Sequence, residues 1–244
     1  MSITWSIVTS EPTIAGMPVT VKVSSRARRL RLRVDPRGRS VLLTVPRRVS
    51  QKRALAWAAG QSEWLRTTIA AMPAETPIAP GATIPFRGTP HRVDWCASRP
   101  RRIDREEGRL SLGGPVETVA SRVLRWLRIE AQALLEEETR EFASRAGVMA
   151  SKVRVGDPVS RWGSCSTSGT ISYSWRLVLA PDLVRRATVA HEVAHLVHMN
   201  HGPDFHALVE RLVGDDAKSA RQWLRRNGAA LQQVGGGNTS IQRV

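Results

Sequence analysis

The chain has 244 residues, 41% of them hydrophobic, enough for one ordinary core or two small ones and too apolar for a disordered chain. Its 37 Lys and Arg against 21 Asp and Glu give a net charge of +16, which favours anionic partners such as nucleic acid or nucleotides at low salt, although arginines spread over solvated faces would give the same surplus. Neither an apolar run of eighteen residues nor a basic start with an apolar core is present, and Cys96 and Cys165 are too few and too far apart for a disulfide framework; the expectation is a cytoplasmic protein with two buried thiols.

Residues 29–34 alternate arginine with Leu30, Leu32 and Val34, residues 35–38 carry turn chemistry, and an aliphatic run follows at 40–45; this predicts a β-hairpin with an arginine face. Ser50 suits a helix cap, and a helix to about Thr67 places Ala54, Trp57, Ala58, Trp64 and Leu65 on one stripe, read as core rather than as a surface for stacking bases. Prolines and glycines punctuate residues 72–90. Strand-like pieces near 91–95 and a hairpin at 102–112 turning at Gly108 extend the β-rich stretch. Pro115 opens a long amphipathic helix through Val119, Val123, Leu127, Leu135 and Phe142, stopped at Gly147. Val153 and Val155 predict a strand, and residues 171–175 another after a turn at Gly169. Pro181 starts a helix that runs to near Asn200, Pro203 one to about Val213, and Asp215 with Asp216 a last one closed by Gly228, before a glycine-rich tail.

His191, Glu192 and His195 form a His-Glu-x-x-His pattern inside residues 187–199, which contain no Gly or Pro. Side chains four apart project from successive turns of one helical face, so both imidazoles can reach a single Zn²⁺ at about 2.0–2.1 Å. Glu192 shares enough of that face to act as general base on a water held by the metal. A third ligand has to come from close by. His198 sits two turns from His191, about 10 Å along the axis at 1.5 Å per residue, a rise that one ion does not span. His201 follows the helix stop, where a turn at Asn200 and Gly202 brings the chain back toward the metal; it is preferred to His206, Asp204 and Glu210, which stay as alternatives. His198 also stands where metzincins, whose His191-His195-His201 spacing is the same, carry glycine, and no Met-containing turn follows, so the chain is not read as one of them.

Around this centre lie Arg161, Trp162, Gly163, Ser164, Cys165 and Ser166, then residues 175–181 with Trp175 and Arg176, then Asn200, His201 and Phe205. Together with the arginine hairpin and the helix bearing Trp223 and Leu224, these make most of residues 20–228 resemble the YgjP-like metallopeptidase domain family, which is related to the WLM and SprT-like zincins. The resemblance implies that His191, His195 and His201 are the ligands and Glu192 the catalytic base. It departs at Ser174, where the family commonly has asparagine, and at His206, where it has tryptophan; both bear on substrate contacts more than on metal binding.

Arg161 could stabilise the oxyanion that forms when hydroxide attacks a carbonyl or phosphoryl group. Cys165 reads as a small buried hydrophobe rather than a blocking thiolate, and Tyr173 as core rather than a substrate contact. The expected fold is α+β: a basic, β-rich N-terminal module with one helix at 1–114, a zincin-like catalytic domain at 115–230, and a disordered tail at 231–244. The expected function is that of a Zn²⁺-dependent metallopeptidase with Glu192 and Arg161 as catalytic residues, His191, His195 and His201 as ligands, a polypeptide substrate and no membrane. The alternatives are a nucleotide pyrophosphohydrolase built on the same activated water, and a DNA-associated protease or nucleic-acid-binding zinc protein. A purely structural zinc is disfavoured, because such sites are closed by four protein ligands and have no use for Glu192.

Overall fold

The computed structural model describes residues 12–236 except 36, 38 and 39. It is a mixed α+β protein whose chain divides into two compact units, Met1–Met72 and Pro73–Val244.

The first unit holds strands β1 (Thr13–Ile14), β2 (Met17–Ser24), β3 (Arg31–Val34) and β4 (Val41–Pro46), then helices α1 (Gln51–Ala59) and α2 (Ser62–Ala70). Its sheet has the order β1-β2-β4-β3, with β2 parallel and β3 antiparallel to β4. The expected hairpin is β3 and β4; Pro36 and Gly38 of its turn lie outside the described residues, and Asp35 Oδ1 accepts the N–H of Arg37 at 2.8 Å. Alternate residues of a half-covered strand face the core. On β4 these are Val41, Leu43 and Val45, buried with Ala54, Ala58 and Leu65 of the helices. Ser50 Oγ caps α1 by accepting the Arg53 N–H, but the single helix expected to Thr67 is broken at Gly60 and Gln61, glycine being a weak helix former. The break divides the expected stripe: Ala54, Ala58 and Leu65 are core, whereas Trp57 and Trp64 are 38% and 47% exposed.

The second unit opens with β5 (Thr83–Phe86), β6 (Thr89–Trp95), β7 (Asp104–Glu106) and β8 (Arg109–Leu112), in the order β5-β6-β8-β7. A 3-10 turn at Val116–Thr118 leads into α3 (Val119–Ala146), which Gly147 ends in the left-handed conformation at φ 72°, where glycine bears no strain. A sheet of order β10-β11-β9 follows, from β9 (Lys152–Gly156), β10 (Gly163–Cys165) and β11 (Thr170–Ser174). After a 3-10 helix at Trp175–Leu179 come α4 (Asp182–Ala194), α5 (Pro203–Val213) and α6 (Asp216–Gln233).

The boundary expected between residues 114 and 115 falls inside a single core. Ile84, Phe86, Val93, Leu110 and Leu112 of the β5–β8 sheet pack in one cluster with Val123, Leu127 and Leu135 of α3 and with Trp175. The β5–β6 turn is also seated on the approach to α4. Arg87 and Gly88 donate their N–H groups to the carbonyls of Val178 (2.7 Å) and Leu179 (3.1 Å), and a Cβ on Gly88 would come within 2.9 Å of Pro181. The first residues of the expected tail at 231–244 also belong to the fold. Leu231, Gln232, Gln233 and Val234 are buried, and Arg176, stacked on Trp175, donates to the carbonyls of Leu231 (2.8 Å) and Val234 (2.6 Å); residues 237–244 lie outside the described set. Cys165 is partly buried as expected, while Cys96 is exposed. No helix among the described residues is long and apolar enough to cross a membrane.

Candidate metal centre

Helix α4 is fixed from its buried side. Arg185, 1% exposed, donates to both carboxylate oxygens of Glu138 on α3 (Nη2–Oε1 2.7 Å, Nε–Oε2 3.0 Å) and through Nη1 to Asp182 at 2.7 Å. Val184, Val189, Ala190 and Val193 bury the same flank. The helix closes at Ala194, earlier than the expected end near Asn200: the N–H groups of Leu196, Val197 and His198 turn back to the carbonyls of Val193 and Ala194. A side-chain hydrogen bond spans the same turn. His195 donates its Nδ1 proton to the His198 carbonyl at 3.1 Å, a bond that the tightened turn makes possible and that leaves the Nε2 lone pair of His195 free for a ligand.

The turn returns His201 to α4, where one ligand atom each from His191, His195 and His201 lies within 4.8 Å of the other two. The Nε2 atoms of His191 and His201 are 3.3 Å apart. Two nitrogens held by one tetrahedral zinc at about 2.0–2.1 Å are separated by about 3.3 Å, so this pair already has the spacing that a shared ion requires. Burial, followed by the neighbouring imidazoles, lowers the His191 pKa to about 4, and burial lowers that of His195; both rings are neutral near pH 7, the form that binds metal. Phe205, 1% exposed, sits against all three imidazoles with ring centres 4.6–4.9 Å away and locks their orientation.

Glu192 is buried beside the triad at 6% exposure. Desolvation drives its pKa up to about 7 against the opposing charge of Arg161. Room for it exists only because residue 163 is glycine: a Cβ there would lie 2.5 Å from Glu192 Oε1. Gly163 belongs to β10, the edge strand of its sheet, so the carboxylate stands beside a strand that, among the described residues, pairs on one side alone. A cavity of about 270 Å³ opens beside it, mostly apolar (Trp162, Phe205, Val209, Leu224) with Thr188, Arg221 and His206 as its polar members besides His191 and Glu192.

The profile of the YgjP-like metallopeptidase domain matches residues 28–227, most of the chain. The chain belongs to the YgjP-like metallopeptidase family. No curated protein matches it. Among solved structures, the metallopeptidase zymogen abylysin of Pyrococcus abyssi is similar at 20% identity over 38% of this chain and 93% of that one, with a TM-score of 0.35, too slight a likeness to argue from.

For a YgjP-like chain the sequence-predicted residues divide clearly. His191, His195, His201 and Glu192 converge, and His201 rather than His206, Asp204 or Glu210 completes the cluster. His198 contributes its carbonyl rather than its ring. Arg161 is exposed and forms no ion pair among the described residues, yet its charge is felt at Glu192. Cys165 is held as a thiol, its pKa raised by burial and by Glu192. Tyr173 is core: 1% exposed, with its hydroxyl donating to Thr139 Oγ1 at 3.0 Å while Thr139 donates to the Leu135 carbonyl. Trp175 and Arg176 turn out to hold the end of α6 rather than the site. Missed by the sequence reading were Arg221 and the glycine at 228, which brings α6 against Trp162; a cation among many on α6 and a lone helical glycine carried no local signal.

Proposed function

We propose that this protein is a zinc-dependent peptidase in which His191, His195 and His201 hold the metal and Glu192 is the general base. The convergence of three imidazoles with one buried carboxylate carries this reading, since a three-ligand nitrogen set leaves a position open for chemistry and structural sites have no need of a base. When bound, zinc supplies Lewis acidity toward a carbonyl oxygen and acidifies water. Glu192 takes the proton of the attacking water and returns it to the departing amine. Arg161, whose charge already reaches Glu192, is proposed to face the developing oxyanion.

The edge strand favours a peptide over a phosphoanhydride. β10 ends its sheet directly beside Glu192, and an extended peptide can add to such an edge through main-chain hydrogen bonds. The adjacent cavity is largely apolar with Arg221 as its one cation, suited to an aliphatic or aromatic side chain and poor in the charges that a triphosphate demands.

Mass spectrometry of products tests this. Zinc-loaded protein and its Glu192→Gln variant are incubated with unfolded polypeptides and, separately, with nucleoside triphosphates. The reading predicts peptides released by the parent and a loss of about 10²–10⁴-fold in the variant with zinc retained, the range for losing a general base. Pyrophosphate or nucleoside monophosphate released only by the parent would establish the nucleotide hydrolase instead.

A further inference from the structure

The positive charge is unevenly distributed. Residues 1–72 carry thirteen Lys and Arg against three Asp and Glu, a net +10 of the chain's +16. Within this unit Ser24, Arg26, Arg28, Arg29, Arg31 and Arg33 line an open groove of about 720 Å³ on the β2–β3 connection and strand β3. All five arginines are exposed, and among the described residues none of the five is paired with an acid; Arg66 and Glu63 on α2 do form an ion pair in this unit.

Five like charges gathered without a counter-ion repel one another, so the arrangement costs stability unless an anion offsets it. Cations on an edge strand do guard it against pairing with other chains, and Arg31 and Arg33 on β3 serve that purpose. The protection of an edge gives no reason for Arg26, Arg28 and Arg29 in the connecting segment. The guanidinium fork matches phosphate oxygens bidentately, and a groove of such forks follows a chain of phosphates rather than a single one. The same unit exposes Trp57 on α1 and Trp64 on α2, and α2 packs against β3. Cationic grooves combined with exposed aromatic rings bind single-stranded nucleic acid, the cations tracking the backbone and the rings stacking on bases. A membrane surface suits these residues less well, since interfacial binding needs a contiguous apolar face to insert, whereas this groove is concave and lined by arginine.

We propose that the arginine groove of the N-terminal unit is a binding site for single-stranded nucleic acid. The site is independent of the metal centre and stands or falls without it.

The test is fluorescence anisotropy with the full chain and a labelled oligothymidylate of roughly twenty nucleotides, longer than the single-strand site of one small domain, over a range of salt. One variant replaces Arg28, Arg29 and Arg31 with serine; a charge-matched variant replaces Arg125, Arg128 and Arg140 on α3, exposed arginines of the other unit, and circular dichroism checks that both fold. The groove variant is expected to bind at least about tenfold more weakly and to flatten the log–log salt slope by about 2, three phosphate contacts at about 0.7 each, while the α3 variant binds within about threefold of the parent. Equal losses in the two variants would overturn the proposal in favour of diffuse charge. It also fails if a nucleoside triphosphate competes as well as the oligonucleotide does, or if the protein is retained by anionic vesicles and not by the oligonucleotide. The Trp64→Ala variant, keeping every charge, is expected to weaken binding with the salt slope unchanged; an unaltered affinity would overturn the assignment of a single strand.

Discussion

Gly228 shows how one residue far along the chain shapes the centre. It lies inside α6, where alanine is normally worth about 1 kcal/mol more than glycine, yet a Cβ there would approach Trp162 Cζ2 to 2.9 Å. Trp162 lines the cavity and precedes Gly163, which gives Glu192 its space. Gly228→Ala should therefore leave thermal stability within about 1 kcal/mol of the parent while lowering kcat/KM for peptide cleavage by tenfold or more, about 1.4 kcal/mol of transition-state stabilisation. Parallel melting curves and peptide kinetics check it, and an unchanged rate would mean that Trp162 does not position the site. At this scale the metal pattern was legible, because His191, Glu192 and His195 are set by helical periodicity alone. That His201 joins the cluster was legible from the turn chemistry of Asn200 and Gly202. Gly228 was misread as a helix stop, since only contact across the fold distinguishes a packing glycine from a capping one.

Helices α3 and α4 are held together by a buried ion pair, and this places the clustered histidines of α4. Arg185 and Glu138 are both nearly inaccessible and joined by three hydrogen bonds. Removing one partner of such a pair costs about 3–5 kcal/mol, and Glu138→Ala leaves the buried Arg185 with only the partly exposed Asp182 as its acid. Glu138→Ala is predicted to lose that much in denaturant unfolding, whereas replacing both Glu138 and Arg185 with apolar residues should recover much of it; a single-variant loss under about 1 kcal/mol would show that the pair is solvated in solution. Hydrophobic periodicity revealed α3 and its stop at Gly147, but Arg185 and Glu138 read locally as ordinary surface charges on helices. The early close of α4 at Ala194 was likewise hidden, because no helix-breaking residue marks it: the chain tightens there into a turn that the His195 bond to the His198 carbonyl spans. Strand β10 was not foreseen either: three residues of Gly163–Cys165 carry no alternation, and their pairing with β11 makes them a strand.

For the whole molecule, the charge balance and the joining of elements distant in sequence set the response to pH. Asp182 at the start of α4 is paired with Arg87 of the β5–β6 turn and with Arg185, and these hydrogen bonds, Arg87 first, hold its pKa below the ordinary aspartate value of 3.8. A carboxylate depressed in the folded state stabilises the fold above its unfolded pKa, and that contribution disappears as pH falls through the lower folded value. The Tm difference between the parent and Asp182→Asn should thus be largest near neutrality and narrow below pH 3.8; a constant difference would separate Asp182 from the acid response. The two-unit division was the part of the architecture least visible in the sequence, for the β5–β8 sheet looks like a continuation of the basic β-rich start until its core residues are seen packed with α3. The central claim is that His191, His195 and His201 bind one zinc ion, and elemental analysis of the purified parent, His201→Ala and His206→Ala tests it most directly. One zinc per chain in the parent and in His206→Ala, with a large loss in His201→Ala, is predicted; full zinc in His201→Ala would contradict the account.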